Sequence, residues 1–160
     1  MSSIARTRDS VESLDREFIG VLSRLSALIE STPASALYQS PAGESLGENV
    51  IKSAGALEQT FGGLTTNLWD DPFEWTLPET LSTPDLIKRY LAEVDSARLR
   101  ALASLVDDSA LDKYIALPSG DQTTIRKLLL NALETARNYE RKATQTLKML
   151  FADDAPRFII

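Results

Sequence analysis

The 160-residue chain contains no histidine and no cysteine. Their absence excludes Cys/His zinc fingers, Ser-His-Asp triads and Cys-His dyads. It also excludes the E-x-x-H repeats of di-iron bundles. Only oxygen ligands remain for a metal, and these suit Mg²⁺ or Ca²⁺. Basic excess is also lacking: 17 Lys and Arg stand against 23 Asp and Glu, a net charge of −6. That argues against a nucleic-acid sheath, which needs a basic stripe. No run approaches the ~20 apolar residues of a membrane span. The opening MSSIARTRDS carries no apolar stretch of signal-peptide type. With no cysteine to oxidise, a soluble, cytoplasmic protein is expected.

What is present is helical periodicity. In TTIRKLLLNALETARNYERKATQTLKMLF, from Thr123 to Phe151, the residues Ile125, Leu129, Ala132, Ala136, Tyr139, Ala143, Leu147 and Leu150 recur at steps of three or four. They form one apolar stripe at helical period. Arg126, Lys127, Glu134, Arg137 and Arg141 fill the other side, and no Gly or Pro interrupts. The remaining segments read as partners for this stripe.

A first helix is expected from about Asp9 to Ser31, with Val11, Leu14, Phe18, Leu22, Leu25, Leu28 and Ile29 inward and Asp9 or Ser10 as cap. Thr32-Pro33 ends it. A connection over 33–44 leads to a second helix that opens on a capping box, Ser45 with Glu48. Its seam is Val50, Ala54, Leu57, Phe61, Leu64 and Leu68, and Gly62-Gly63 weakens its last turns.

The connection over 69–82 holds Trp69, Phe73 and Trp75. These aromatics suit a plug at the bundle end, a pocket rim or a subunit contact. The third helix starts at Thr83 with Pro84 in its first position and Asp85 in its first turn, and runs to about Val106. Residues 107–122 hold a short helical turn, SALDKY, and the breakers Pro118 and Gly120. Asp121 or Thr123 is expected to cap the last helix.

No strand of useful length is expected. The pattern predicts one all-α domain over 1–160, a four-helix bundle with long 1–2 and 2–3 connections. Those connections favour an up-up-down-down order. Residues 1–8 are expected to fray, and the tail 152–160, ending Phe158-Ile159-Ile160, to fold back or pack on a neighbouring chain.

This arrangement resembles the DinB superfamily of four-helix bundles. The resemblance spans nearly the whole chain, and its local anchors are the Ser45–Glu48 cap and Asn138-Tyr139-Glu140. Members of that family typically carry one histidine in helix two. A second pair, spaced i, i+4, stands in helix four, often within N-H-E-x-x-H, and the three hold a divalent metal. Here Asn138 and Glu140 match the motif. Tyr139 and Ala143 stand where its histidines would be, and the helix-two position falls on Ser53 or Lys52. Counting from Glu48 favours Lys52; helical phase favours Ser53.

All three ligand positions have therefore changed. The resemblance implies the scaffold, with no resident metal or cofactor. It implies a binding or interaction module with its pocket near Ser53, Lys52, Asn138, Tyr139 and Ala143, rimmed by Trp69, Phe73 and Trp75. A homodimer is expected from the long apolar seams and the FII tail. The alternative is an enzyme. It would be a divergent metal- and thiol-dependent transferase of the DinB group, or a Mg²⁺ hydrolase using carboxylates such as Glu48, Glu58, Asp70, Asp71 and Glu93.

Overall fold

The computed structural model describes residues 7–41, 43–69 and 78–151. Four helices carry the fold: α1 (Asp9–Glu30), α2 (Leu46–Thr66), α3 (Pro84–Ala103) and α4 (Ile125–Leu150). Their apolar stripes close on one core. Val11, Phe18, Leu25 and Ile29 of α1 are fully buried, as are Val50, Ala54, Leu57 and Phe61 of α2, Ile87, Val94 and Ala101 of α3, and Leu129, Ala136 and Ala143 of α4. Phe18 meets Phe61 edge to face across the centre, with ring centroids 5.1 Å apart.

The bundle architecture is the expected one, but the helix directions differ. Lys88 pairs with Glu30 and Arg98 with Asp15, so α3 runs against α1. Arg137 pairs with Glu17 and Arg24 with Glu140, so α4 runs with α1. Phe61, near the end of α2, packs on Phe18, in the first half of α1, so α2 runs against α1 and therefore with α3. The order is up-down-down-up rather than up-up-down-down. The physical reason lies in the first connection, which does not cross the bundle. It makes a 3₁₀ turn at Ala34–Ala36, and its next residues, Leu37 and Tyr38, pack at the start of α2. The amide of Gly47 donates to the Leu37 carbonyl at 2.9 Å. A Cβ on Gly47 would lie 2.6 Å from the Tyr38 ring, so glycine is required there. Burial, then Glu48 and Glu79, push the Tyr38 phenol up to about 12. It stays protonated and donates to the Leu81 carbonyl, tying this connection to the approach to α3.

Two helix starts follow local rules. The Glu48 amide donates to Ser45 Oγ at 3.1 Å. The returning contact is from the Ser45 hydroxyl to Glu48 Oε1 at 3.0 Å, in place of the backbone half of a capping box. Thr83 accepts from the Leu86 amide, with Pro84 in the first position.

The start of α1 does not. Neither Asp9 nor Ser10 caps it. Asp108, from a 3₁₀ turn at Asp108–Asp112, accepts the amides of Ser10 and Val11 at 3.0–3.2 Å. In return Arg8 donates to the carbonyls of Leu102 and Leu105 at the end of α3. An acid sits at a helix N-terminus and a base at a C-terminus, as the helix dipoles favour. Thr7 and Arg8, expected to fray, are thereby docked.

Residues 114–124 also depart from expectation. Tyr114–Ala116 (β1) pairs antiparallel with Gln122–Thr124 (β2), with Ile115 opposite Thr123. Gly120, at φ +90°, makes the turn. Strands of three residues are too short to show alternation in a sequence. The hairpin sets the cap of α4 at Thr124, rather than Asp121 or Thr123. Helix α3 stops at Ala103, short of Val106, and Leu68 lies beyond α2 and is exposed.

Candidate functional site

The residues singled out from sequence lie along the α2–α4 seam, but they part into two groups. Ser53 and Ala143 are fully buried. The Ser53 hydroxyl donates to the Ala136 carbonyl at 2.7 Å, bridging the two helices. Ala143, two turns further along α4, is also packed inside. On α2, Ser53 points inward and Lys52 lies on the flank.

Lys52 and Tyr139 remain accessible. Both line a groove of about 300 Å³ with Ile51, Gly55, Ala56, Gln59 and Thr135. Tyr139 is half-buried, because its ring stands at the edge of the stripe rather than under it. The Lys52 ammonium lies 6.0 Å from the ring centroid and that of Lys142 lies 5.2 Å away. Both are within cation–π range of the phenol. Lys52 Nζ also approaches Glu44 Oε1 at 3.6 Å. The groove is thus floored by apolar side chains and edged by an ammonium, a phenol, an amide and a hydroxyl.

Asn138 is exposed and accepts a hydrogen bond from Arg141. It faces away from the groove lining. Glu140, the other matching residue, accepts from Arg24 Nε at 2.9 Å and ties α4 to α1. The Trp69 ring packs over Gly63, where a Cβ would lie 2.3 Å from it, and its indole nitrogen donates to Asn67 Oδ1 at 2.9 Å. Its carbonyl accepts from Gln59 at 2.9 Å. Trp69 therefore buttresses one wall residue of the groove and does not roof it. Phe73 and Trp75 lie outside the described residues, as do Asp70, Asp71 and the FII tail.

The carboxylates considered for Mg²⁺ are dispersed. Glu48 belongs to the cap of α2. Glu58 and Glu93 share a separate groove between α2 and α3 with Arg100. Burial raises the Glu58 carboxyl above the usual range; the Tyr90 hydroxyl opposes this and the Glu93 charge adds to it. Among the described residues no group of three or more acidic side chains is placed to hold a metal ion.

Sequence reasoning missed Gln59 and Thr135. Their spacing was the available signal: Lys52, Ala56 and Gln59 on α2, and Thr135 with Tyr139 on α4, follow helical steps along the seam's flank. No helix among the described residues is long and apolar enough to cross a membrane. Comparison with known protein families, with curated proteins and with solved structures finds no match to this chain.

Proposed function

We propose that this chain is a DinB-like bundle that acts as a binding module, with a small-ligand groove in place of the family's metal centre. One observation carries the reading. Of the positions where the resemblance expects histidines, Ser53 and Ala143 are sealed into helix packing, while Tyr139 and the neighbouring Lys52 edge an open groove. Concave, largely apolar hollows with a few convergent polar groups are the usual form of a small-ligand site. An ammonium, a phenol, a hydroxyl and an amide at the rim suit a compact apolar ligand carrying a carboxylate. In this reading the protein works inside the cell as a homodimer, with exposed Ile19 and Leu99 supplying apolar contact area.

Thermal shift of untagged protein against small carboxylates, with benzoate as the first probe, tests the groove. A ligand bound only by the folded state raises Tm. The expected rise is lost in Lys52→Met and Tyr139→Leu. No rise with any carboxylate overturns the groove reading. Elemental analysis of the same protein tests the alternative: a stoichiometric divalent metal would favour a transferase or a Mg²⁺ hydrolase. Sedimentation at micromolar concentration checks the dimer, which a monomer mass would remove.

A further inference from the structure

A second cavity lies on the same seam, beyond Tyr139, where α2 begins and α4 finishes. It measures about 280 Å³ and is walled by Glu44, Asn49, Lys142, Gln145, Thr146 and Met149. Asn49 is only 1% exposed. Its amide nitrogen donates to the Ser45 carbonyl at 3.2 Å, which fixes the orientation of the amide, since the flipped form would oppose two oxygens. Its Oδ1 is buried and accepts no hydrogen bond. Glu44 repeats the pattern: Oε1 lies 3.6 Å from Lys52, while Oε2 is buried without a hydrogen-bond donor.

Two buried acceptors without donors, on the walls of one cavity, are an unusual arrangement in a folded chain. Of the two cations nearby, Lys52 reaches Glu44 only at Oε1. Lys142 sets its ammonium over the Tyr139 ring and gives the cavity its stem. Thr146 donates its hydroxyl proton to the Lys142 carbonyl at 2.9 Å, so its oxygen offers only lone pairs. The lining carries one carboxylate, and its remaining side-chain donors are the Gln145 amide, which is exposed, and the Lys142 ammonium, which is drawn to the Tyr139 ring.

We propose that this cavity binds the ammonium group of a small primary amine. Glu44 Oε2 and Asn49 Oδ1 accept its N–H groups, and Met149 and the Lys142 stem pack on its carbon chain. An anion would meet the Glu44 carboxylate and the Asn49 oxygen and be repelled. A quaternary ammonium has no N–H to give them. Calcium takes six to eight oxygens, usually several of them carboxylate, and Glu44 is the one carboxylate in this lining. The inference stands on different walls from the Lys52–Tyr139 groove and does not depend on it.

The test is a ¹⁵N–¹H NMR titration of the untagged full-length chain at constant pH and ionic strength. The probes are n-butylammonium, butyltrimethylammonium and calcium chlorides. Butylammonium is expected to shift the Asn49 side-chain amide and the Thr146 backbone amide saturably. Its quaternary analogue should bind at least tenfold more weakly. Asn49→Leu should abolish the effect. Glu44→Gln, outside the helices, should weaken it at least fivefold. Absence of saturable shifts, equal shifts from the quaternary analogue, or stronger shifts from calcium would each overturn the proposal. So would shifts confined to Gln59, Thr135 and Tyr139, which would place the amine in the other groove. Benzoate binding, or its failure, is read at that groove alone.

Discussion

Ser53 donates its hydroxyl to the Ala136 carbonyl across the α2–α4 seam, 2.7 Å away and out of reach of water. The bond occupies the layer where the resemblance expects a metal ligand. A serine buried at a helix–helix contact needs a partner, and the nearest backbone carbonyl of α4 supplies it.

Ser53→Ala should cost about 1 kcal/mol, the usual net worth of such a bond. Ala136 keeps its helical hydrogen bond, so no acceptor is stranded. For a chain of this size the change lowers Tm by roughly 2–4 °C. Urea denaturation checks it; unchanged stability would mean that the bond adds nothing to the packing around it.

Asp108 makes α1 sensitive to acid. Burial works against its charged form, but the amides of Val11 and Ser10, the Thr7 hydroxyl and the Arg126 charge outweigh it and hold the carboxyl below the usual range. A depressed folded value means that the contribution is present above the unfolded value, about 3.9. It is lost as pH falls through the folded value. Asp108→Asn should speed amide exchange in the first turn of α1 at neutral pH, with the difference closing in acid. Equal exchange at neutral pH would show that the cap is dispensable.

Glu58 has the opposite sign. Burial, partly offset by the Tyr90 hydroxyl and reinforced by Glu93, raises its carboxyl. Its contribution is full below the unfolded value, about 4.3. It fades as pH rises through the raised folded value. Wild type should lose a step of stability over that window relative to Glu58→Gln. Paired denaturation curves from pH 4 to 8 measure it; a wild type that holds or gains stability against Glu58→Gln as pH rises would refute the assignment.

Gly63 makes room for Trp69. A methyl group there would lie 2.3 Å from the indole, so Gly63→Ala must displace the ring. The cost should be about 1–3 kcal/mol, in the range of overpacking. Tryptophan emission should shift to the red. Unchanged emission and stability would show that the ring yields freely.

Arg98 is 5% exposed and pairs with Asp15 of α1 and, at 2.9 Å, with Asp95 of its own helix. Arg98→Ala should cost about 2–4 kcal/mol, since it strands Asp15 and removes a buried stem. Asp95→Asn should cost under about 1 kcal/mol, because that carboxylate is 45% exposed. Equal losses from the two variants would argue against an inter-helix role for Arg98.

The helices themselves were legible in the amino-acid order. Periodic apolar residues, the serine and threonine caps at Ser45 and Thr83, and Pro84 act within a few residues of where they stand, so α1, α2 and α3 begin where read and end within about one turn of it. Part of the site was legible in the same way: the phase of Val50, Ala54 and Leu57 sends Ser53 inward. Gln59, Thr135 and Asn49 carried only a positional hint, because a polar residue beside a seam looks like any solvated one until the facing helix is placed.

The sequence by itself determined four amphipathic helices and excluded His- and Cys-based chemistry, because propensity, periodicity and composition are local properties. Only the tertiary structure decided the up-down-down-up order, which depends on the first connection packing at one end of the bundle. It also decided the cap of α1, which comes from Asp108 nearly a hundred residues away. The parting of Ser53 from Lys52 and the cavity beside the buried Asn49 amide belong there too. Each depends on which face of one helix meets another, and that is settled by packing.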